Sequence, residues 1–330
     1  MRTLLKVGLA LASILPWCAS PPAAAQGSDA QRWPERPVRI LIPFAPGGAA
    51  DTLARILADH FASEAKGQPL VVENRPGAGG TLAAAETARS APDGYTLLMG
   101  DIGANAVAGA LFAKLPYDVR TSFEPVIHLA NLPMVMVVNN GVGDGTLKGF
   151  LELARAKPGG LNYASAGPGG ASHLMMELFN GLGGTRIVHV PYRGGAPVLQ
   201  SVMTGDTHAA FSTVSTSKPF IEASSVRAVA VGGSKPIAAL PGVPPVAELV
   251  PGFEAYTWHG VHAPAGTPKE VVAEINRVFD ALLKKPEVMR RLEQQTAEPV
   301  GGAPDAYARF VGSEIDKWAR VVATTGIKMN

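Results

Sequence analysis

The run Val38-Arg39-Ile40-Leu41-Ile42-Pro43-Phe44-Ala45-Pro46-Gly47-Gly48-Ala49-Ala50-Asp51 decides how the chain is read. A short β-rich stretch stops at Pro43, and two glycines then permit a tight turn. Beyond it Leu53, Ile56, Leu57 and Phe61 recur at the spacing of one helix face. A strand, a glycine turn and a helix in succession leave the first N–H groups of the helix without intrahelical partners, aimed into the space past the strand end. Two readings of Phe44, Pro46, Gly47 and Gly48 stay open from this loop alone. It is an anion site at a helix start, or a tight turn in which Asp51 caps its own helix. In both, Asp51 orders the loop, because a carboxylate facing an anionic ligand repels it.

The unit recurs without repetition of sequence. A strand over 70–73 precedes a helix from about Gly80, and a strand over 96–99 precedes another loop and helix. After a helix over 147–156, Asn162 to Ser165 lead into a second glycine loop, Ser165-Ala166-Gly167-Pro168-Gly169-Gly170-Ala171-Ser172-His173, and a helix carrying Leu174, Met175, Leu178, Phe179 and Leu182. A strand over 187–190, a helix over 196–204 and strands over 208–212 and 226–231 follow. Such alternation reads as α/β, a parallel sheet covered by helices. The proline-rich stretch from Leu240 to Pro251 fits neither a central strand nor a helix and marks a passage between domains. From Pro268, the residues Val271, Val272, Ile275, Val278, Phe279, Leu282 and Leu283 form one apolar stripe, and two more helices begin at Pro286 and Pro304.

Composition removes whole classes of function. The 330 residues exceed one ordinary core and suit two lobes. Residues 1–25 have a basic start (Arg2, Lys6), an apolar stretch from Val7 to Trp17 and a small-residue end at Ala23-Ala24-Ala25, the pattern of a secretory signal peptide cleaved after Ala25. Cys18 follows bulky Trp17, which argues against a lipid anchor. Cleavage removes this single cysteine, and with it disulfides, thiolate metal sites and cysteine nucleophiles. Arg2 and Lys6 are also the only charges of the leader, so 27 basic and 27 acidic residues remain. A neutral chain lacks the standing positive field that nucleic acids or anionic membranes require.

Chemical motifs are few. Glu73-Asn74-Arg75-Pro76-Gly77-Ala78-Gly79-Gly80 approaches a dinucleotide fingerprint, but Leu82 stands where the third glycine belongs, and no Gly-Lys dipeptide exists for a P-loop. No Gly-x-Ser-x-Gly elbow is present. His259 and His262 sit three apart in a strand-like run, on opposite faces, which suits hydrogen-bonded histidines better than a metal pair. Trp258, Trp318 and the Met175-Met176 pair read as packing. His173, in the first turn after the second glycine loop, either lines a ligand cleft or holds the loop. One helix start contributes about 0.3–1 kcal/mol to a bound anion, or about 2 when partly buried, while micromolar affinity needs about 8. A useful site therefore takes both loops together.

The run from Val38 to Asp51, the Glu73–Gly80 turn, Leu115-Pro116-Tyr117-Asp118, Gly167 to Leu174 and Val190-Pro191-Tyr192-Arg193-Gly194-Gly195 resemble, in this order, the Bug-type receptors of the TctC family. Leu240 to Pro244, Trp258-His259-Gly260 and Ala263 to Pro268 extend the likeness over nearly the whole chain after the leader. These receptors are the extracytoplasmic substrate-binding components of tripartite tricarboxylate transporters.

The resemblance implies a type II periplasmic binding protein, with two α/β lobes around a ligand cleft. The first lobe comprises 26–129 and 251–330, the second 130–250. It also implies capture of a small organic carboxylate by backbone donors and bridging water, without a dedicated arginine clamp. The candidate ligand-binding residues are Phe44, Pro46, Gly47, Gly48 and Asp51 from the first loop, and Ser165, Ala166, Gly167, Gly169, Ala171, Ser172 and His173 from the second, together with Ala78, Asp101, Asn105, Ser212 and Thr213. Arg193 is a secondary candidate. Many relatives carry an acid after the strand matching 208–211, where this chain has Ser212-Thr213-Val214-Ser215-Thr216. That departure favours a non-amino carboxylate against a hydroxyl wall. The implied partners are a small organic acid and the membrane permease subunits, with no nucleic acid, cofactor, metal or catalysis, in a periplasmic monomer. A receptor for a sensor kinase, and a secreted α/β hydrolase using Ser165 or Ser172, are the alternatives.

Overall fold

A computed structural model describes residues 33–325. The leader and its cleavage after Ala25 lie outside them. Eleven strands occur among the described residues: β1 (Val38–Ile42), β2 (Leu70–Asn74), β3 (Thr96–Asp101), β4 (Phe123–Leu132), β5 (Met134–Val138), β6 (Asn162–Ser165), β7 (Val188–Pro191), β8 (Ala209–Thr213), β9 (Arg227–Val231), β10 (Thr257–Pro264) and β11 (Glu298–Pro299). Six form one sheet in the order β11-β4-β10-β3-β1-β2, and five form another in the order β7-β6-β8-β5-β9.

Most of the strands that the alternation of strand and helix identifies pair in parallel, β1 with β2 and β3, and β6 with β7 and β8, whereas β9 over 227–231 pairs antiparallel with β5. Others run antiparallel, β10 to β3 and β4, and β5 to β8 and β9. Each sheet is thus mixed rather than parallel throughout. The antiparallel members include the strands that carry the chain between the sheets, β4 into β5 and β9 back to β10. Only Pro133 separates β4 from β5. The return segment is tied beside it, since Gly232 N–H donates to Met134 O at 2.8 Å and Ala255 N–H donates to Gly232 O at 2.8 Å. A Cβ on Gly232 would lie 2.5 Å from Ala255 O, so a glycine is needed where the two ends of the return segment meet beside Met134.

Side chains alternate across these strands as a pleat dictates. Met134, Met136 and Val138 enter one core with Tyr163, Phe179 and Phe211, while Val135 and Val137 enter another with Val198, Leu199 and Val202. Under the first sheet, Ile40 and Ile42 meet Leu53, Ile56 and Phe61 of helix Ala49–Glu64 and Ile275 and Phe279 of helix Lys269–Leu283. Helix Pro304–Thr325 brings Tyr307, Val311 and Trp318 into the core that holds Phe179, and so spans both units. Buried Trp258 and Trp318 each donate an indole N–H to Glu314 Oε2, at 3.1 and 3.2 Å. Both tryptophans and the Met175-Met176 pair are core residues.

Helix Val214–Glu222 stands where the sequence suggests only a link between two strands. Its residues Ser215, Thr216, Ser217 and Pro219 are poor helix formers, and packing of Val214 overrides them.

The glycine turns of the two units meet backbone to backbone. A Cβ on Gly79 would strike Pro168 O, and one on Gly103 would lie 2.8 Å from Gly169 O and 3.0 Å from Gly79 O. Gly103 opens a π-helical turn, Gly103–Val107, with no positive φ, so alanine is acceptable to its backbone and not to its neighbours. Gly103→Ala is expected to leave the far-ultraviolet circular dichroism unchanged and to increase the radius of gyration in small-angle scattering. An unchanged radius contradicts the contact.

Candidate functional site

Three helices begin at glycine on one cavity of about 100 Å³. Helix Ala49–Glu64 follows Gly48, helix Ala171–Gly183 follows Gly170, and helix Gly195–Thr204 follows Gly194. None has a side-chain cap, because glycine has no side chain to supply one. The first amides of each helix are therefore free donors. Ala49, Ala50, Ala171, Ser172 and Gly195 lie on the cavity wall. A fourth helix, Val214–Glu222, brings hydroxyls instead: Thr213 and Thr216 line the same cavity with their Oγ1 atoms 2.7 Å apart. Phe44, Met134, Val198 and Phe211 supply the apolar part of the wall.

The first loop is held from behind. Asp51, 3% exposed, accepts from Gly47 N–H at 2.9 Å, from Asn74 Nδ2 at 3.0 Å and from the Arg55 guanidinium. Burial opposes its ionisation, but the hydrogen bonds from Arg55, Gly47 and Asn74 outweigh that and hold its carboxyl below the usual range. Asn74 Nδ2 also donates to Phe44 O at 3.0 Å.

The second loop is held by a polar stack. Ser172 Oγ accepts from Ala166 N–H at 2.9 Å, and His173 Nδ1 accepts from Gly169 N–H at 3.0 Å. The His173 and His189 rings lie 4.0 Å apart, and His189 Nε2 lies 2.6 Å from Ser165 Oγ. Burial pushes His173 down to about 3, helped by His189, and His189 down to about 4, so both are neutral near pH 7.

A larger cavity of about 620 Å³ adjoins the first, with Phe44, Ala45, Ala166 and Gly194 on both walls. Of the sequence candidates, Phe44, Gly48, Asp101, Ala166, Ala171, Ser172, Ser212 and Thr213 line the inner cavity, while Ala78 and Gly167 line the outer one. Seven lie on neither wall. Pro46 and Gly47 form the exposed loop tip. Asp51, Ser165, Gly169 and His173 stand behind the two loops, and Asn105 accepts from Asp101 N–H at 3.2 Å. Several wall residues were not among the candidates. Gly194 and Gly195 have the same strand–glycine–helix signal as the first two loops. Thr257 and His259 come from β10, more than 200 residues after β1; nothing local marks Thr257, and the His259–His262 spacing and the Trp258-His259-Gly260 motif mark His259 without placing it at the cleft. His259 Nδ1 lies 3.4 Å from Gly100 O, and burial lowers its pKa to about 4.

The sequence profile of the tripartite tricarboxylate transporter family receptors (TctC) matches residues 53–327. The chain belongs to this receptor family. It is 35% identical to protein BugT of Bordetella pertussis over 303 residues, 91% of this chain and 93% of BugT. Among solved structures it resembles an adipate-bound protein of R. palustris, with a TM-score of 0.85, 36% identity and coverage of 90% of this chain and 100% of that one. It also resembles the periplasmic binding protein BugD, with a TM-score of 0.84, 32% identity and coverage of 90% and 100%. This is the type II periplasmic binding fold that the ordered motifs imply.

Asp101 is the acid on the receptor's inner wall. It is 1% exposed, its Oδ1 accepts from Ala104 N–H at 3.0 Å, and burial raises its pKa to about 6 against the opposing backbone hydrogen bonds. A folded-state value above the unfolded one means that this group's contribution favours folding at low pH and is lost as pH rises through about 6. The same sign governs an anion in the cavity, because protonating Asp101 removes a like charge. Affinity for a small anion is expected to rise as pH falls from about 8 to about 5.5, with His259 still neutral. Asp101→Asn, which keeps an acceptor for Ala104, should flatten that profile in isothermal titration. An identical profile in the variant contradicts the assignment.

Proposed function

We propose that the chain is a periplasmic receptor that captures a small organic carboxylate between its lobes and delivers it to the membrane permease of a tripartite transporter. In this reading the leader over 1–25 is removed after Ala25. Residues 26–129 with 251–330 form one lobe, 130–250 the other, and the receptor works as a monomer without catalysis.

One observation carries it: three uncapped helix starts, from both sheets' units, meet on one cavity whose lining includes no lysine or arginine. At the partly buried end of their range, about 2 kcal/mol each, they approach the roughly 8 kcal/mol of micromolar binding. Hydroxyl hydrogen bonds to a carboxylate, about 1.5–3 kcal/mol each, supply the remainder and offset ordering costs. Because the donors come from both units, the ligand favours the closed form by contacts the open form lacks.

The adipate complex of the R. palustris relative supports the ligand class, and the hydrolase alternative gains no support from the serines. Ser165 is fully buried, its Oγ engaged with His189 and Gly167, on neither cavity wall. Ser172 reaches the inner wall, but its Oγ accepts from Ala166 N–H, and among the described residues no histidine bonds to it.

Differential scanning fluorimetry against a panel of mono-, di- and tricarboxylates, adipate included, tests the reading. An acid at a hundred times its dissociation constant should stabilise the fold by about 2.7 kcal/mol, a rise of several degrees. No shift across the panel contradicts it.

A further inference from the structure

The inner cavity, at about 100 Å³, is smaller than an ordinary ligand site, which occupies roughly 300–1,000 Å³. The outer cavity, at about 620 Å³, falls in that range. They share Phe44, Ala45, Ala166 and Gly194, so whatever seats its head against the helix starts has its remaining atoms directed past Phe44 into the outer chamber. The walls there are largely apolar side chains and glycine backbone, with Pro76, Leu82, Pro168 and Tyr192 facing the space.

Arg193 is the charged residue of that outer wall, and no acid accompanies it among the lining residues. Elsewhere in the fold Arg39, Arg55, Arg75, Arg120, Arg277 and Arg291 each hold a carboxylate. Arg193 makes no hydrogen bond or ion pair with any described residue, although a guanidinium is the side chain best shaped to take a carboxylate through two parallel bonds.

We propose that the two cavities form one elongated site and that Arg193 is its specificity-determining residue, holding a second carboxylate at the far end of the ligand. The ligand class is then a linear or flat dicarboxylate, one end at the helix starts of the inner cavity and its apolar spacer against Phe44, Leu82 and Pro168. This rests on the carboxylate reading given above and adds to it a second anchor. It also departs from the clamp-free binding that the family resemblance implies.

Isothermal titration with matched pairs tests it: succinate against butanoate, adipate against hexanoate, and terephthalate against 4-methylbenzoate. Each pair differs by the replacement of one carboxylate with a methyl group. In the wild-type chain the best dicarboxylate should bind at least about tenfold more tightly than its partner, and Arg193→Gln should reduce that preference to about threefold or less, with Arg193→Lys between them. Arg193 is exposed, so neither substitution disturbs a core. If the members of each pair bind alike, or if Arg193→Gln keeps the preference, the second anchor is overturned while the carboxylate reading stands. If no member of any pair binds while another acid of the panel does, the second anchor is overturned; if no acid of the panel binds, the carboxylate reading fails and the second anchor with it.

Discussion

A helix that starts at glycine has no side chain to satisfy its first amides. Gly48, Gly170 and Gly194 leave three helices in that condition, and all three open onto the same cavity. Unpaired donors on a partly enclosed wall are tolerable because water solvates them in an open cleft and an anion replaces that water on closure. Much of the surrounding architecture serves to aim these amides. Asp51 and Asn74 fix the first loop from behind, and the Ser165, His189 and His173 stack fixes the second.

The same economy shapes the connection between the two sheets. A mechanism that relies on donors from both units requires them to approach closely and to separate. Pro133 and Gly232 place the two crossings side by side, joined by the hydrogen bond from Gly232 N–H to Met134 O, a short and narrow joint. Away from that joint in the chain, Gly79, Gly103 and Gly169 let main chain touch main chain. Helix Pro304–Thr325 lies across both units and is anchored through Glu314 to Trp258 of β10.

The strand–glycine–helix units were legible because their signals are local: a proline stop, glycines, then apolar residues every three or four positions. Asp51 was legible as a loop-ordering carboxylate from electrostatics alone. The strands β4 and β5 were not, since they form one largely apolar stretch parted only at Pro133, and antiparallel pairing with β10, β8 and β9 depends on partners far away in sequence. Helix Val214–Glu222 was hidden by its serines, threonines and proline. At the site, Gly194 and Gly195 carried the same local signal as the other two loops, whereas Thr257 and His259 reach the wall only because β10 returns to the first sheet beside β3. Long-range pairing, which a single sequence does not express, accounts for β4 and β5 and for the place of Thr257 and His259 at the site.

The central claim concerns particular N–H groups, and amide NMR reads them one by one. On titration with the tightest-binding acid, the account predicts that the amide protons of Ala49, Ala50, Ala171, Ser172 and Gly195 move downfield together, with the largest shifts in the spectrum. Saturable binding that leaves those five amides in place contradicts it.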